Sequence, residues 1–410
     1  MFKHKGYEPE VLESPEAVGL IKATYSVYKE AVDTGIGDND IPEAMARKLD
    51  HDAFIFSGFK VHHELSEVGL SLRDKDGKVK NYDTFKEDVR KVHGKYNENY
   101  LKSEYQFAVT SSQMAARWQD VAGDGDRYDL QYRTAGDSRV RDEHAAMEGI
   151  TLPADDPFWK QYYPPNGWRC RCTTVQVNKG KYPVSDSKEA IRIGERSTTQ
   201  LDRFGNNKAA IFRFNPGMEE KVFPPRHPYG KVDKETKQVI EKVANIEQRR
   251  QQYEKLKSDP DYNDVVFDEK TGGLKATHRF HSFDKQGGVY ERHVQNAGFK
   301  NGHAVILGEE RGDVFGLKYT EGTWDGLQFE VAGRETATIN NIKRGLEHCA
   351  DKRSTQIAVL DFPNGGFSID NFETALRRYK GLEKLHDGQF LKFKKIICTQ
   401  DEQIVYEVEL

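Results

Sequence analysis

Apolar residues recur at helical spacing through the first third of the chain. Within 15–33, Val18, Ile21, Tyr25, Tyr28 and Val32 fall on one face of a helix, and GIGDND at 35–40 breaks it. Pro42 suits the first turn of a second helix. Between 82 and 121, Phe85, Val89, Val92, Tyr96, Leu101, Tyr105, Ala108, Met114 and Trp118 make a broad apolar stripe, which predicts one long helix ended by GDGDR. YDLQYRTAG at 128–136 reads as a short strand. DSRVRDEHAAMEG at 137–149 reads as a short helix, with Asp137 at its cap and Gly149 at its stop. Residues 151–172 are predicted to be loop.

The pattern changes twice more. Residues 178–260 carry KGKYPVSDSK, FNPG and FPPRHPYG and then a very polar helical run, so they read as a partly helical linker with few groups to bury. Residues 261–410 alternate strands and helices. HAVILG, QIAVLDF, FLKFKKIIC and QIVYEVEL predict strands, and VFGLKYTEGTWDGLQFEVAG predicts a hairpin-like pair. Ile339, Ile342, Leu346 and Ala350 mark one helix after a Thr-rich cap, and Phe372, Ala375, Leu376 and Tyr379 mark another. The expectation is a multidomain chain. It has a mainly α N-terminal domain (1–177) with a long irregular loop, a linker (178–260), and a C-terminal α+β domain (261–410) with a mixed or antiparallel sheet.

Composition narrows this reading. The 410 residues hold 62 Lys and Arg against 66 Asp and Glu, a net charge of -4, so any nucleic-acid binding must use a local patch. No apolar run reaches the roughly 18 residues of a spanning helix, and the opening MFKHKGYEPEV lacks the apolar core of a secretion signal; no membrane is expected. Four cysteines are too few for a disulfide scaffold and suit a reducing cytoplasm.

Two of those cysteines sit one residue apart in PPNGWRCRC, at 164–172. Cys170 and Cys172 lie on one side of an extended segment. A helix over 137–149 would put Asp137, Arg141 and His144 on a shared face. Folding one onto the other gathers Asp137, His144, Cys170 and Cys172, and two readings stay open. They can hold Zn²⁺ as four ligands. Alternatively, and preferred on the sequence, buried thiols and an Asp–Arg–His hydrogen-bond cluster clamp an irregular loop, with Trp159 and Trp168 packing it.

The run from Tyr132 to Cys172 resembles the phage Mu protein F-like (MuF) head-morphogenesis domain. The matching pieces are Thr134-Ala135, Asp137, Arg139, Arg141 and His144, then Asp156, Phe158 and Trp159, then Pro164, Pro165 and Cys170-Arg171-Cys172. The resemblance covers about 50–177. It implies a minor capsid protein that associates with portal or capsid proteins, found in the bacterial cytoplasm during assembly and then in the virion.

Residues 280–410 resemble the tRNase domains of contact-dependent-inhibition and related polymorphic toxins, of the barnase/EndoU/colicin/RelE-like group. The resembling features are Glu291, Glu310, Asp325-Gly326, Glu330, Thr336, Thr338 and the strand at 356–362. This implies a ribonuclease acting on tRNA, a cognate immunity protein and delivery to a target cell. Metal-free cleavage needs a base, an acid and a cation, types supplied by Glu330, Arg334, Thr336, Thr338 and the histidines at 278, 281, 293 and 303, of which His303 is the candidate. A two-carboxylate alternative places Mg²⁺ on Asp325 and Glu330; it wants Glu-x-Lys, and Ala332 occupies the lysine position. Arg377, Arg378, Lys380, Lys392 and Lys394 form basic patches that can seat RNA beside Tyr379 or Phe393, although 261–410 hold 20 Lys and Arg against 24 Asp and Glu. The alternative is a purely structural minor head protein whose tail binds portal, capsid or scaffold.

Overall fold

A computed structural model describes residues 7–124, 127–283, 287–309, 320–352, 354–383 and 393–410. The chain forms two compact units, Met1–Ala244 and Asn245–Leu410.

Unit 1 is led by helices α1 (Pro15–Ile36), α2 (Glu43–Ser71), α3 (Tyr82–Gly94) and α4 (Leu101–Gly123). Ser14 caps α1, its hydroxyl accepting the Ala17 N–H at 3.3 Å, and Pro15 takes the first helical position. The helix predicted over 82–121 runs through α3 and α4, joined by a π-helical turn at Lys95–Tyr100. After α4 come β1 (Tyr128–Arg133), α5 (Asp142–Ala145), β2 (Thr151–Pro153), α6 (Phe158–Tyr162), β3 (Thr173–Asn178), α7 (Ser187–Ser197), α8 (Pro216–Glu219) and α9 (Lys234–Ser258), of which the residues up to Ala244 belong to this unit. The strands make an antiparallel sheet in the order β2-β1-β3. Phe158, Trp159, Tyr162 and Tyr163 are buried beneath it with Cys170 and Cys172.

Two expectations change here. The helix predicted over 137–149 shrinks to one turn, because Asp137 turns the chain locally by accepting the Arg139 N–H at 3.0 Å and Arg141 keeps an extended backbone just before α5. Residues 178–244 are not a polar connector. Phe212, Phe214, Val222, Phe223, Val239, Ile240, Val243 and Ala244 enter the main core of unit 1, where Phe223 stacks on Phe56 with ring centres 3.7 Å apart.

Unit 2 contains β4 (Tyr262–Phe267), β5 (Leu274–His278), α10 (Gly288–Lys300), β6 (Ala304–Leu307), β7 (Gly322–Trp324), β8 (Leu327–Gly333), α11 (Ile339–Ala350), β9 (Ile357–Asp361), α12 (Ile369–Glu383), β10 (Lys395–Gln400) and β11 (Gln403–Glu409). The eight strands form one mixed sheet in the order β11-β10-β9-β8-β7-β6-β5-β4. β5 and β6 run parallel, as do β8, β9 and β10, and the other neighbours are antiparallel. Alternation along β9 divides the core. Ile357 and Val359 pack with Val294 of α10, while Ala358 and Leu360 pack with Ile342 and Leu346 of α11 and Phe372 of α12, so the helices cover opposite faces.

Candidate functional site

In unit 1, strand pairing builds the thiol–imidazole cluster. β3 starts at Thr173, opposite Arg133 on β1, which sets the preceding Cys-Arg-Cys segment beside the end of β1. The α5 turn is tied to the same strand, because the Gly149 N–H donates to the Tyr132 carbonyl at 2.9 Å and the Tyr132 N–H to Ile150 at 2.8 Å. Gly149 permits this with φ +81°. His144 on α5 is thereby buried against both thiols, with Cys170 Sγ and Cys172 Sγ each 3.5 Å from its Nδ1. All three donor atoms lie within 4.8 Å of one another. Arg171 alternates outward, and its guanidinium forks onto Asp137 at 2.7 and 2.6 Å.

The structure thus brings together His144, Cys170 and Cys172 but directs Asp137 elsewhere. The Arg171 fork, helped by Arg139, holds the Asp137 carboxyl well below the usual carboxylate range. A carboxylate committed to two guanidiniums, on the exposed side of the segment, is not the fourth member of the cluster. The two thiols titrate as a pair. The hydrogen bond from Cys172, and then His144, favour a first thiolate at Cys170 against the effect of burial. That charge and burial push the second thiol, Cys172, upward. Tyr132 is fully buried beside them and donates to Asn166 at 2.9 Å. Trp159 is fully buried in the same cluster, whereas Trp168 packs on Phe107 and Phe212.

In unit 2 the six predicted catalytic residues fall into three groups. Asp325 sits in the tight β7–β8 turn at φ +47°, followed by Gly326 at +81°. It pairs with His303 at 2.7 Å and Arg249 at 3.1 Å. Burial alone would raise its pKa, but His303, the Ala304 N–H and Arg249 together outweigh this and hold it below the ordinary value. Arg334, Thr336 and Thr338 lie beyond the opposite end of β8, roughly 20 Å away along a seven-residue strand. There Thr338 caps α11 by accepting the Asn341 N–H at 3.2 Å, Thr336 accepts from the Asn341 side chain at 3.3 Å, and Arg334 donates to the Gly333 carbonyl at 2.8 Å.

Glu330 stands alone between these ends, 1% exposed and facing α11. Lys352, just past α11, brings its ammonium within 2.8 Å of Glu330 and 2.8 Å of Glu321, and His348 lies 3.4 Å from Glu330. Burial pushes the Glu330 carboxyl up, although His348 and Lys352 pull it back. Lys352 is itself raised, since the two carboxylates outweigh its burial. Glu321 also lies within 4.8 Å of His281 and Glu291, which are joined to each other at 2.9 Å. Glu321, Lys352 and His348 were not foreseen; nothing in the spacing of Glu330 and Ala332 points to a lysine twenty residues on. Also unforeseen is Asp361 at the carboxyl end of β9, fully buried and held by His293 at 3.1 Å and Thr399 at 2.8 Å.

Arg377, Arg378, Lys380 and Lys394 are exposed, but Tyr379 and Phe393, the rings expected to stack bases, are buried in the core. Those rings pack on each other and offer no face to RNA. Glu310 and Lys392 lie outside the described residues.

Comparison with known proteins places part of this chain. Residues 73–175, which include β1, α5 and the whole thiol–imidazole cluster, match the family described as Phage Mu protein F like protein. The "Putative capsid assembly protein F" of Escherichia phage Mu is 37% identical over 103 residues, 25% of this chain and 24% of its own. The "Mu-like prophage FluMu F protein" of Haemophilus influenzae is 50% identical over 49 residues, 12% of each chain. The chain thus spans about a quarter or less of the length of the curated relatives it matches. No solved structure matches.

Proposed function

We propose that this chain is a head-assembly protein of a phage or prophage, and that unit 1 engages portal or capsid proteins. The reading rests on the Mu F-like match over 73–175, which falls on the segment that builds the small sheet and its buried cluster. The chain would act in the bacterial cytoplasm during assembly and remain in the virion. No described helix is long and apolar enough to cross a membrane. The test is to tag the chain in its phage and purify proheads and filled heads. The tagged chain should co-sediment with them, and in-frame loss of 73–175 should abolish that association and lower particle yield. A chain absent from both particle types would overturn the proposal.

A second reading concerns residues 261–410: a toxin-like ribonuclease, acting on tRNA, carried into a target cell and restrained by an immunity protein. One observation favours it. Glu291, His281, Glu321, Lys352 and Glu330 form a continuous chain of ionisable contacts, and Lys352 supplies from a helix end the cation that Ala332 lacks on the strand. Carboxylates beside a lysine suit phosphodiester cleavage, holding Mg²⁺ or moving protons while the cation faces the developing charge. Asp325 and His303 are not needed in this arrangement. Full-length protein should fragment tRNA, and E330Q and K352M should each lower the rate at least a hundredfold with the fold retained. Intact tRNA after prolonged incubation with the wild type, with and without Mg²⁺, would leave the tail with its structural role on portal, capsid or scaffold.

A further inference from the structure

We infer that His144, Cys170 and Cys172 form a zinc site whose fourth position opens to solvent. Both sulfurs stand 3.5 Å from one atom, His144 Nδ1. A ring nitrogen carries either one hydrogen or one lone pair, so His144 Nδ1 can hydrogen-bond to only one of the two thiols at a time. Convergence of two buried thiols on a single nitrogen is what a shared ion requires. The distances agree: a tetrahedral ion with Zn–S of about 2.3 Å and Zn–N of about 2.05 Å sets sulfur and nitrogen about 3.5 Å apart. The ligand chemistry agrees as well, since two thiolates and an imidazole select zinc over the hard, oxygen-seeking cations.

The fourth position follows from the surroundings. Among the described residues no other His, Cys, Asp or Glu joins the three donors, and Asp137 is held by Arg171 and Arg139. A cleft of about 20 Å³ lies against the donors, lined also by Arg139, Arg141 and Arg169. It has room for one water molecule, which completes the tetrahedron. Two thiolates balance the dication, so the site can be held at the protein edge among arginines. Its structural effect is a cross-link between α5 and the segment before β3, across a stretch whose regular structure is limited to α5, β2 and α6.

The test uses the full chain, reduced, loaded with excess Zn²⁺ and dialysed against metal-free buffer before elemental analysis. The wild type should retain about one zinc per chain. C170S, C172S and H144N should each retain at least tenfold less, while C349S, which alters a buried thiol of unit 2, should match the wild type. Cobalt in place of zinc should give thiolate charge-transfer and tetrahedral d–d bands that C170S abolishes. If a variant fails to fold, the wild-type zinc content and cobalt spectrum decide. A reduced, folded wild type that keeps less than a tenth of an equivalent would overturn the inference. So would a variant series in which the zinc stays, or a native chain whose two thiols are joined as a disulfide.

Discussion

Lys60 of α2 is fully buried and meets Glu104 of α4, which also accepts the Tyr28 hydroxyl at 2.6 Å. Burial lowers the lysine's pKa, and Glu104 acts against that shift. An ion pair of this kind is costly to break on one side, because the remaining charge stays buried. K60M should therefore destabilise unit 1 by about 3–5 kcal/mol in urea denaturation, and K60M/E104L should recover most of the loss. Asp52 behaves differently. It accepts the Val222 and Phe223 N–H groups at 2.9 Å each, yet burial pushes its pKa up to about 6, from 3.8. Between these values the folded chain keeps a proton that the unfolded chain has lost. The stabilisation is complete below the unfolded value and is lost as pH rises through about 6. D52N keeps an acceptor and removes the titration. Relative to the wild type it should gain about 2 kcal/mol between pH 4 and pH 7. Parallel curves for the two proteins across that range would count against this account.

At the scale of elements, α1 and α4 approach closely at Gly35. A Cβ there would stand 2.3 Å from the Val109 carbonyl oxygen, which is backbone and cannot turn aside. G35A should cost about 1–3 kcal/mol by forcing the helices apart, read as a lowered thermal midpoint with helical content retained. Elements with a strong period were legible in the sequence: α1 from its stripe, α11 from Thr338, and the β7–β8 turn from Asp325-Gly326. Elements decided by tertiary contacts were not. Phe212, Phe214, Val222 and Phe223 enter the core from a proline-rich stretch with no period, so their burial is invisible to pattern reading. The helix expected from Asp137 lost to a side-chain turn and the Arg171 fork. The candidate sites divide in the same way. His144 with Cys170 and Cys172 could be paired from alternation along an extended segment, whereas the approach of Lys352 to Glu330 depends on where α11 ends against the sheet.

Across the whole molecule, the four cysteines divide evenly between the units, and all are buried. Cys170 and Cys172 belong to the cluster under the small sheet of unit 1, whereas Cys349 and Cys398 sit in the α11–α12 face of unit 2. Each pair therefore reports the opening of its own core when thiol labelling is followed through a urea series. Leu360 on β9 is fully buried among Gly345, Ile342 and Phe372, so L360A removes branched carbon from a filled space and should cost unit 2 about 2–5 kcal/mol. In L360A the labelling midpoint of Cys349 and Cys398 should move to lower urea, while that of Cys170 and Cys172 stays where it is. Peptide mapping of the labelled thiols distinguishes the pairs. If all four thiols shifted together, the two cores would unfold as one cooperative body. The proposed reading, a tail carried as a separate passenger on a head-assembly module, requires the opposite, because such a tail must keep its own fold independently.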